Sequence, residues 1–125
     1  MAPKFATAIN CIDGRVQVSV SSYIKVSYSV DHVDMVTMPG IVKILADNRD
    51  ITVDLIKKSV QVSVVAHKSK LVAVVGHYDC AGNPVCKEIQ IQEMALAFKT
   101  VESWSFNVKI IGLWVDENWK VCRIF

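Results

Sequence analysis

Apolar positions along this chain fall into two patterns, and the alternation between them predicts an architecture. Phe5 to Ile12, Val33 to Met38, Lys70 to Val75 and Phe106 to Val115 are short, mostly apolar runs rich in Val and Ile. Runs of this kind, bounded by glycine, proline or polar residues, read as strands covered on both faces. Lys-Leu-Val-Ala-Val-Val at 70–75, closed by Gly76, is the clearest of them, and Pro39-Gly40 stops the second. After the fourth, Asp116-Glu117-Asn118 makes a turn, and Trp119 to Ile124 returns as an antiparallel edge strand.

The segments between the strands carry helical spacing. Val53, Ile56, Val60 and Val64 lie three or four apart and share one helical face. Ile91, Met94, Ala95, Phe98 and Val101 do the same, and Asn83-Pro84 is expected to supply the N-cap and a first-turn proline. Arg15 to Val30 fits both periods. Val16, Val20, Ile24 and Tyr28 are helically spaced, while Val16, Val18 and Val20 alternate as in a strand. Propensity favours the strand; the strand–connection rhythm of the rest of the chain favours a helix, and we take the helix.

The expected fold class is therefore α/β: a mostly parallel central sheet of about four strands plus an antiparallel edge strand, with helices on both faces. No repeat, linker or low-complexity tract interrupts residues 1–125, so one domain is expected. In such sheets, sites form outside the carboxyl ends of the strands. Cys11 lies at the end of the first strand, and His77 and Cys80 follow the third, so two separate segments converge on one sheet edge.

Composition narrows the function classes. With 125 residues, 52% hydrophobic and 21% charged, the chain can bury a core of its own. A net charge of +2 with scattered lysines argues against nucleic acid as a partner. No segment reaches the roughly 18 uninterrupted apolar residues of a membrane span. The first ten residues hold no apolar run ahead of a cleavage site, so the cytoplasm is the expected compartment. Thiols stay reduced there, which makes the four cysteines metal ligands or core residues rather than disulfides.

Two thiolates and an imidazole suit zinc, and three protein ligands leave a fourth position open. His77-x-x-Cys80 puts two ligands on one turn, and Cys11-x-Asp13-x-Arg15 adds a third beside an acid and a base. An arginine next to Asp13 keeps its carboxylate ionised. Cys86 is a rival to Cys80, and the His-x-x-Cys spacing favours Cys80; Cys86 and Cys122 are read as non-ligands. His32 and His67 are expected to be exposed. Trp104, Trp114 and Trp119 are expected in the core or at a subunit interface.

Cys11-Ile12-Asp13-Gly14-Arg15 with Gly76-His77-Tyr78-Asp79-Cys80 resembles the signature of the β-class carbonic anhydrases. Val33 to Gly40 resembles that family's second strand and turn, and Ile110 to Asp116 followed by Lys120-Val121 resembles its closing hairpin, so the likeness covers nearly the whole chain. The resemblance implies Cys11, His77 and Cys80 as ligands of a Zn2+ ion and Asp13 with Arg15 as the catalytic pair. It implies reversible hydration of carbon dioxide to bicarbonate by zinc-bound hydroxide, in a homodimer or higher homo-oligomer. It leaves the fourth ligand as water or as Asp13 itself. Three features depart from the family pattern: Gly14 replaces a Ser or Thr, Pro39-Gly40-Ile41 replaces Ala-Gly-Asn, and the helical arm before the first strand is missing. They bear on the substrate pocket more than on the metal. Alternatives are a structural or regulatory zinc with no catalysis, and hydrolysis of a carbon dioxide analogue such as carbonyl sulfide or carbon disulfide.

Overall fold

The computed structural model describes residues 2–125. In chain order the elements are β1 (Phe5–Asn10), α1 (Gly14–Tyr28), β2 (His32–Thr37), α2 (Ile41–Asp47), α3 (Thr52–Val65), β3 (Leu71–His77), α4 (Lys87–Ser103), β4 (Lys109–Val115) and β5 (Val121–Arg123). They form a five-stranded sheet in the order β2-β1-β3-β4-β5, parallel except for the antiparallel β4–β5 pair. The α/β expectation and its antiparallel edge strand are thus observed. Among the described residues, no helix is long and apolar enough to cross a membrane.

The chain leaves β1 toward β2 through α1 and crosses back to β3 through α2 and α3. Crossovers share one hand, so reversing direction puts the helices on opposite faces. Accordingly α1 packs Val16, Val20 and Ile24 against Ala8, Ala73 and Leu113, while α2, α3 and α4 pack Leu45, Ile56 and Met94 against Ile9, Val72 and Val74 on the other side. Directions diverge between β1 and β3, which makes the crevice beyond their carboxyl ends the place for a site.

Burial settles the Arg15–Val30 segment. Val18 is 76% exposed although Val16 and Val20 are fully buried, so the period is 3.6 and not 2. Propensity loses here because a helix can bury Val16, Val20 and Ile24 together. Other boundaries move. Helix α2 was not expected, since seven residues are too short to display a period, although Ile41, Val42 and Leu45 are all buried. Helix α4 begins at Lys87 with Cys86 as its N-cap residue, not at Asn83-Pro84. Asn83 is instead turned inward, where its side-chain amide donates to Glu93 at 2.9 Å. β4 starts at Lys109 rather than Phe106 because Ser105 and Asn107 take left-handed conformations that break the extended chain.

Candidate metal centre

β1 and β3 are adjacent and parallel, with Ile9 beside Val74. Two residues beyond Ile9 stands Cys11, and three beyond Val74 stands His77, so both emerge at the same level of the sheet. His77 is the last residue of β3 rather than a loop residue. Cys80 comes back toward them on the following turn, where Asp79 takes a left-handed conformation. The three residues are buried, and one donor atom from each lies within 4.8 Å of the others. The sequence-derived trio is therefore brought together. Cys86 and Cys122 are exposed and stand outside the cluster.

The donor set fits a tetrahedral zinc. Two Zn–S bonds of about 2.3 Å at a tetrahedral angle require sulfurs about 3.8 Å apart. The Sγ atoms of Cys11 and Cys80 are separated by 3.8 Å. Nδ1 of His77 donates to the Tyr78 carbonyl at 2.7 Å, which fixes the tautomer and leaves Nε2 as the free lone pair. That Nε2 is buried and has no hydrogen-bond partner. A buried ring nitrogen left orphaned is costly unless a ligand claims it.

Proton affinities of the trio are linked. The hydrogen bond from Cys80 holds the Cys11 thiol far down, to about 3, against an opposing effect of burial. The same contact, reinforced by burial, drives Cys80 up. Without a cation the pair thus prefers one negative charge. Backbone N–H groups of Gly40 and Asp13 help to hold the Cys11 sulfur ionised, and those of Asn83 and Gly82 favour a negative Cys80. Burial disfavours a charged His77, but the Cys11 sulfur and the Tyr78 carbonyl outweigh it and raise its proton affinity.

Asp13 and Arg15 stand beside this cluster. The Arg15 guanidinium meets Asp13 Oδ2 at 2.7 Å and Oδ1 at 3.0 Å, and its hydrogen bonds hold the Asp13 carboxyl down at about 2. Arg15 itself is fastened from three sides, by Asp13, by Asp79 Oδ2 at 3.2 Å, and by the Trp119 ring, whose centroid lies 4.4 Å from the guanidinium carbon. Trp119, expected in the core or at an interface, is half-buried and packs against the α1-side core while its ring faces Arg15; Trp114 is buried. Asp13 is also the N-cap of α1, accepting from the Arg15 backbone N–H at 2.9 Å.

Several positioning residues escaped the sequence reading. Gln90 on α4 clamps both backbone polar groups of His77, accepting from its N–H and donating to its carbonyl, each at 2.9 Å. Gln17 donates to the carbonyls of Cys11 at 2.7 Å and Asp13 at 2.8 Å. Gly40, in a left-handed conformation, and Gly82 press their backbones together. A Cβ on either would come within 2.6 Å of the other residue's backbone. Gly76 lets α4 approach β3, for a Cβ there would strike the Met94 sulfur.

Known proteins agree with this architecture. The family described as "Putative carbonic anhydrase" matches residues 1–125. No curated protein matches the chain in sequence. Among solved structures, a β-carbonic anhydrase isoform I from Trichomonas vaginalis superposes with a TM-score of 0.66 at 16% identity, covering 99% of this chain and 84% of that one. A carbonic anhydrase from Glaciozyma antarctica gives 0.59 at 13% identity over 99% and 83%. One of two tetrameric β-carbonic anhydrases from Sordaria macrospora gives 0.56 at 14% identity over 99% and 81%. At these identities the likeness speaks for the fold, and the match along the full sequence speaks for descent: the chain belongs to the putative carbonic anhydrase family and has the β-carbonic anhydrase fold.

Proposed function

We propose that the chain is a zinc-dependent, carbonic anhydrase-like lyase that reversibly hydrates carbon dioxide to bicarbonate. Cys11, His77 and Cys80 hold the metal, and Asp13 with Arg15 are the catalytic pair. The observation that carries this reading is the convergence of two sulfurs 3.8 Å apart with a buried, unpartnered imidazole Nε2. A zinc ion, held by these three residues, would supply Lewis acidity that lowers the pKa of water toward neutral pH. Asp13, kept ionised and oriented by Arg15, offers a carboxylate as hydrogen-bond acceptor beside the ion. Arg15 engages both of its oxygens, which would orient the Asp13 carboxylate beside an ion held by the three donors. Tyr78 and Gln90 hold the imidazole and its backbone in place. The same reading takes carbon dioxide and bicarbonate as small-molecule partners and puts the protein in the cytoplasm. It also expects a homodimer or larger assembly, in line with the tetrameric enzymes of similar fold.

Stopped-flow hydration on protein with stoichiometric zinc tests this. Two thiolates offset much of the ion's charge, so the rate is expected to climb between about pH 7 and pH 9 and to fall in Asp13→Asn. A rate indistinguishable from background at full zinc occupancy refutes catalysis. One observation favours a second reading, a non-catalytic zinc: the space among the three donors, Gly40, Val42 and Asn83 has essentially no volume for a further molecule. Under that reading the metal would tie the segment after β1 to the end of β3 and the turn that follows it. Its removal should then lower stability without any activity ever being present.

A further inference from the structure

At the opposite end of the sheet, where β1, β3 and β4 begin, the side chains leave a cavity of about 880 Å³. That lies within the range of small-molecule sites. It is separated from the metal centre by the length of a seven-residue strand, roughly 20 Å. Its walls are flat and apolar: Phe5, Tyr28 and His67 contribute rings, with Val30 and Leu71 beside them. Its rim is cationic, because Lys4 precedes β1, Lys70 precedes β3 and Lys109 opens β4, so neighbouring strands each begin with an ammonium group. Lys68 adds a fourth from a left-handed backbone position. None of the four forms an ion pair among the described residues; Lys109 lies over the Tyr28 ring at 5.5 Å. Asp31, nearby, is engaged by the Lys4 backbone N–H at 2.7 Å.

The ring of His67 is fixed from behind. Its Nδ1 donates to Asp34 Oδ2 at 2.6 Å, and that oxygen also accepts from Ser63 Oγ at 2.7 Å. Ser63 in turn meets the buried Thr7 hydroxyl at 2.6 Å. The imidazole stacks on Phe5, centroids 4.2 Å apart and planes at 24°. Nε2 is the ring nitrogen left over. Ser63, on the inward face of α3, and His67, just beyond its end, are thus spent on a polar chain leading from the sheet interior to the cavity wall.

We propose that this cavity is a second ligand site, taking an organic anion with a planar ring and at least two negative charges, of the nucleoside phosphate class. The stacked wall suits a ring, and the ring is held in advance of binding, which lowers the ordering cost. Four uncompensated ammonium groups around one opening repel each other, and a polyanion relieves that repulsion where a neutral ligand does not. The site does not depend on the metal reading.

Isothermal titration at low salt with ADP, adenosine and inorganic phosphate, each used separately, tests it. ADP is expected to bind with a Kd at or below about 100 µM. Adenosine and phosphate alone should bind at least about tenfold more weakly. The double variant Lys70→Ala, Lys109→Ala should weaken ADP by about tenfold or more while zinc uptake at the far end of the sheet stays unchanged, since both side chains are exposed. No saturable ADP binding up to about 1 mM overturns the proposal. So does equal ADP affinity in the double variant, or phosphate binding as tightly as ADP.

Discussion

At the carboxyl ends of β1 and β3 the side chains leave essentially no space, whereas at the amino ends of the same strands they leave a cavity of about 880 Å³. The first end is assembled from loop residues held by short contacts: Gly40 against Gly82, Gln90 on the His77 backbone, Gln17 on the Cys11 and Asp13 carbonyls. The second is made of strand-leading residues whose charged ends face solvent without partners. A parallel sheet with crossover helices puts all its helix-entering loops at one edge. That edge can be drawn tight around three donor atoms, while the other collects the residues at which the strands begin. Tightness at one end suits three residues that could hold a metal, since coordination tolerates errors of only a few tenths of an ångström.

The comparison is broken most severely by removing a donor. His77→Ala or Cys11→Ser should abolish stoichiometric zinc binding, measured by metal analysis after dialysis, while Lys70→Ala at the other edge leaves it intact. Retained stoichiometric zinc in both donor variants would show that the ion, if any, sits elsewhere. Next comes Gly82→Ala, which would drive a methyl group onto the Gly40 backbone and part the loops carrying Cys80 and Gly40. A loss of about 2–4 kcal/mol in denaturant unfolding, together with weaker zinc binding, is expected.

Asp13→Ala should cost about 1 kcal/mol even in metal-free protein, because the carboxylate caps α1. The pH dependence has a definite sign. The folded protein holds this carboxyl at about 2, below its ordinary 3.8, so its contribution is complete above about pH 4 and lost as the pH falls toward 2. The difference in stability between wild type and Asp13→Ala should therefore shrink in acid; a constant difference from pH 5 to about 2.5 would remove the cap and ion pair as its cause. The smallest effect belongs to Gly14→Ser. Nothing lies within 4 Å of a Cβ at that position, so the side chain that the resemblance leads one to expect fits without strain. Thermal melting should rise slightly, by the equivalent of a few tenths of a kcal/mol; a marked fall would mean that the first turn of α1 needs glycine.

The candidate site was legible because its chemistry is carried by residue types and by order along the chain. Cys11, His77 and Cys80 are buried together, and Asp13 pairs with Arg15, as the spacing and the family resemblance led one to expect. What supports them was not legible. Gln90, Gln17 and Gly82 look like ordinary helix and loop residues until α4 lies against β3 and the loop after β2 meets the loop after β3. Asp13 also acquires a second task as a helix cap, so Asp13→Ala disturbs folding and Asp13→Asn is the cleaner probe of catalysis.

The sequence by itself determined the α/β class, the order of strands along the chain and the three residues that could offer donor atoms, while the strand ends shifted by a few residues. Period, residue chemistry and chain order are local properties that survive without coordinates. Tertiary structure bore out the helix taken for Arg15–Val30, which runs from Gly14 to Tyr28, and it alone revealed that Ile41–Asp47 forms a helix too short to show a period. It also put Trp119 over Arg15 and gathered four lysines from three separate parts of the chain around one opening. These outcomes turn on which surfaces meet, and burial against a distant partner outweighs the small preferences that any short segment expresses alone.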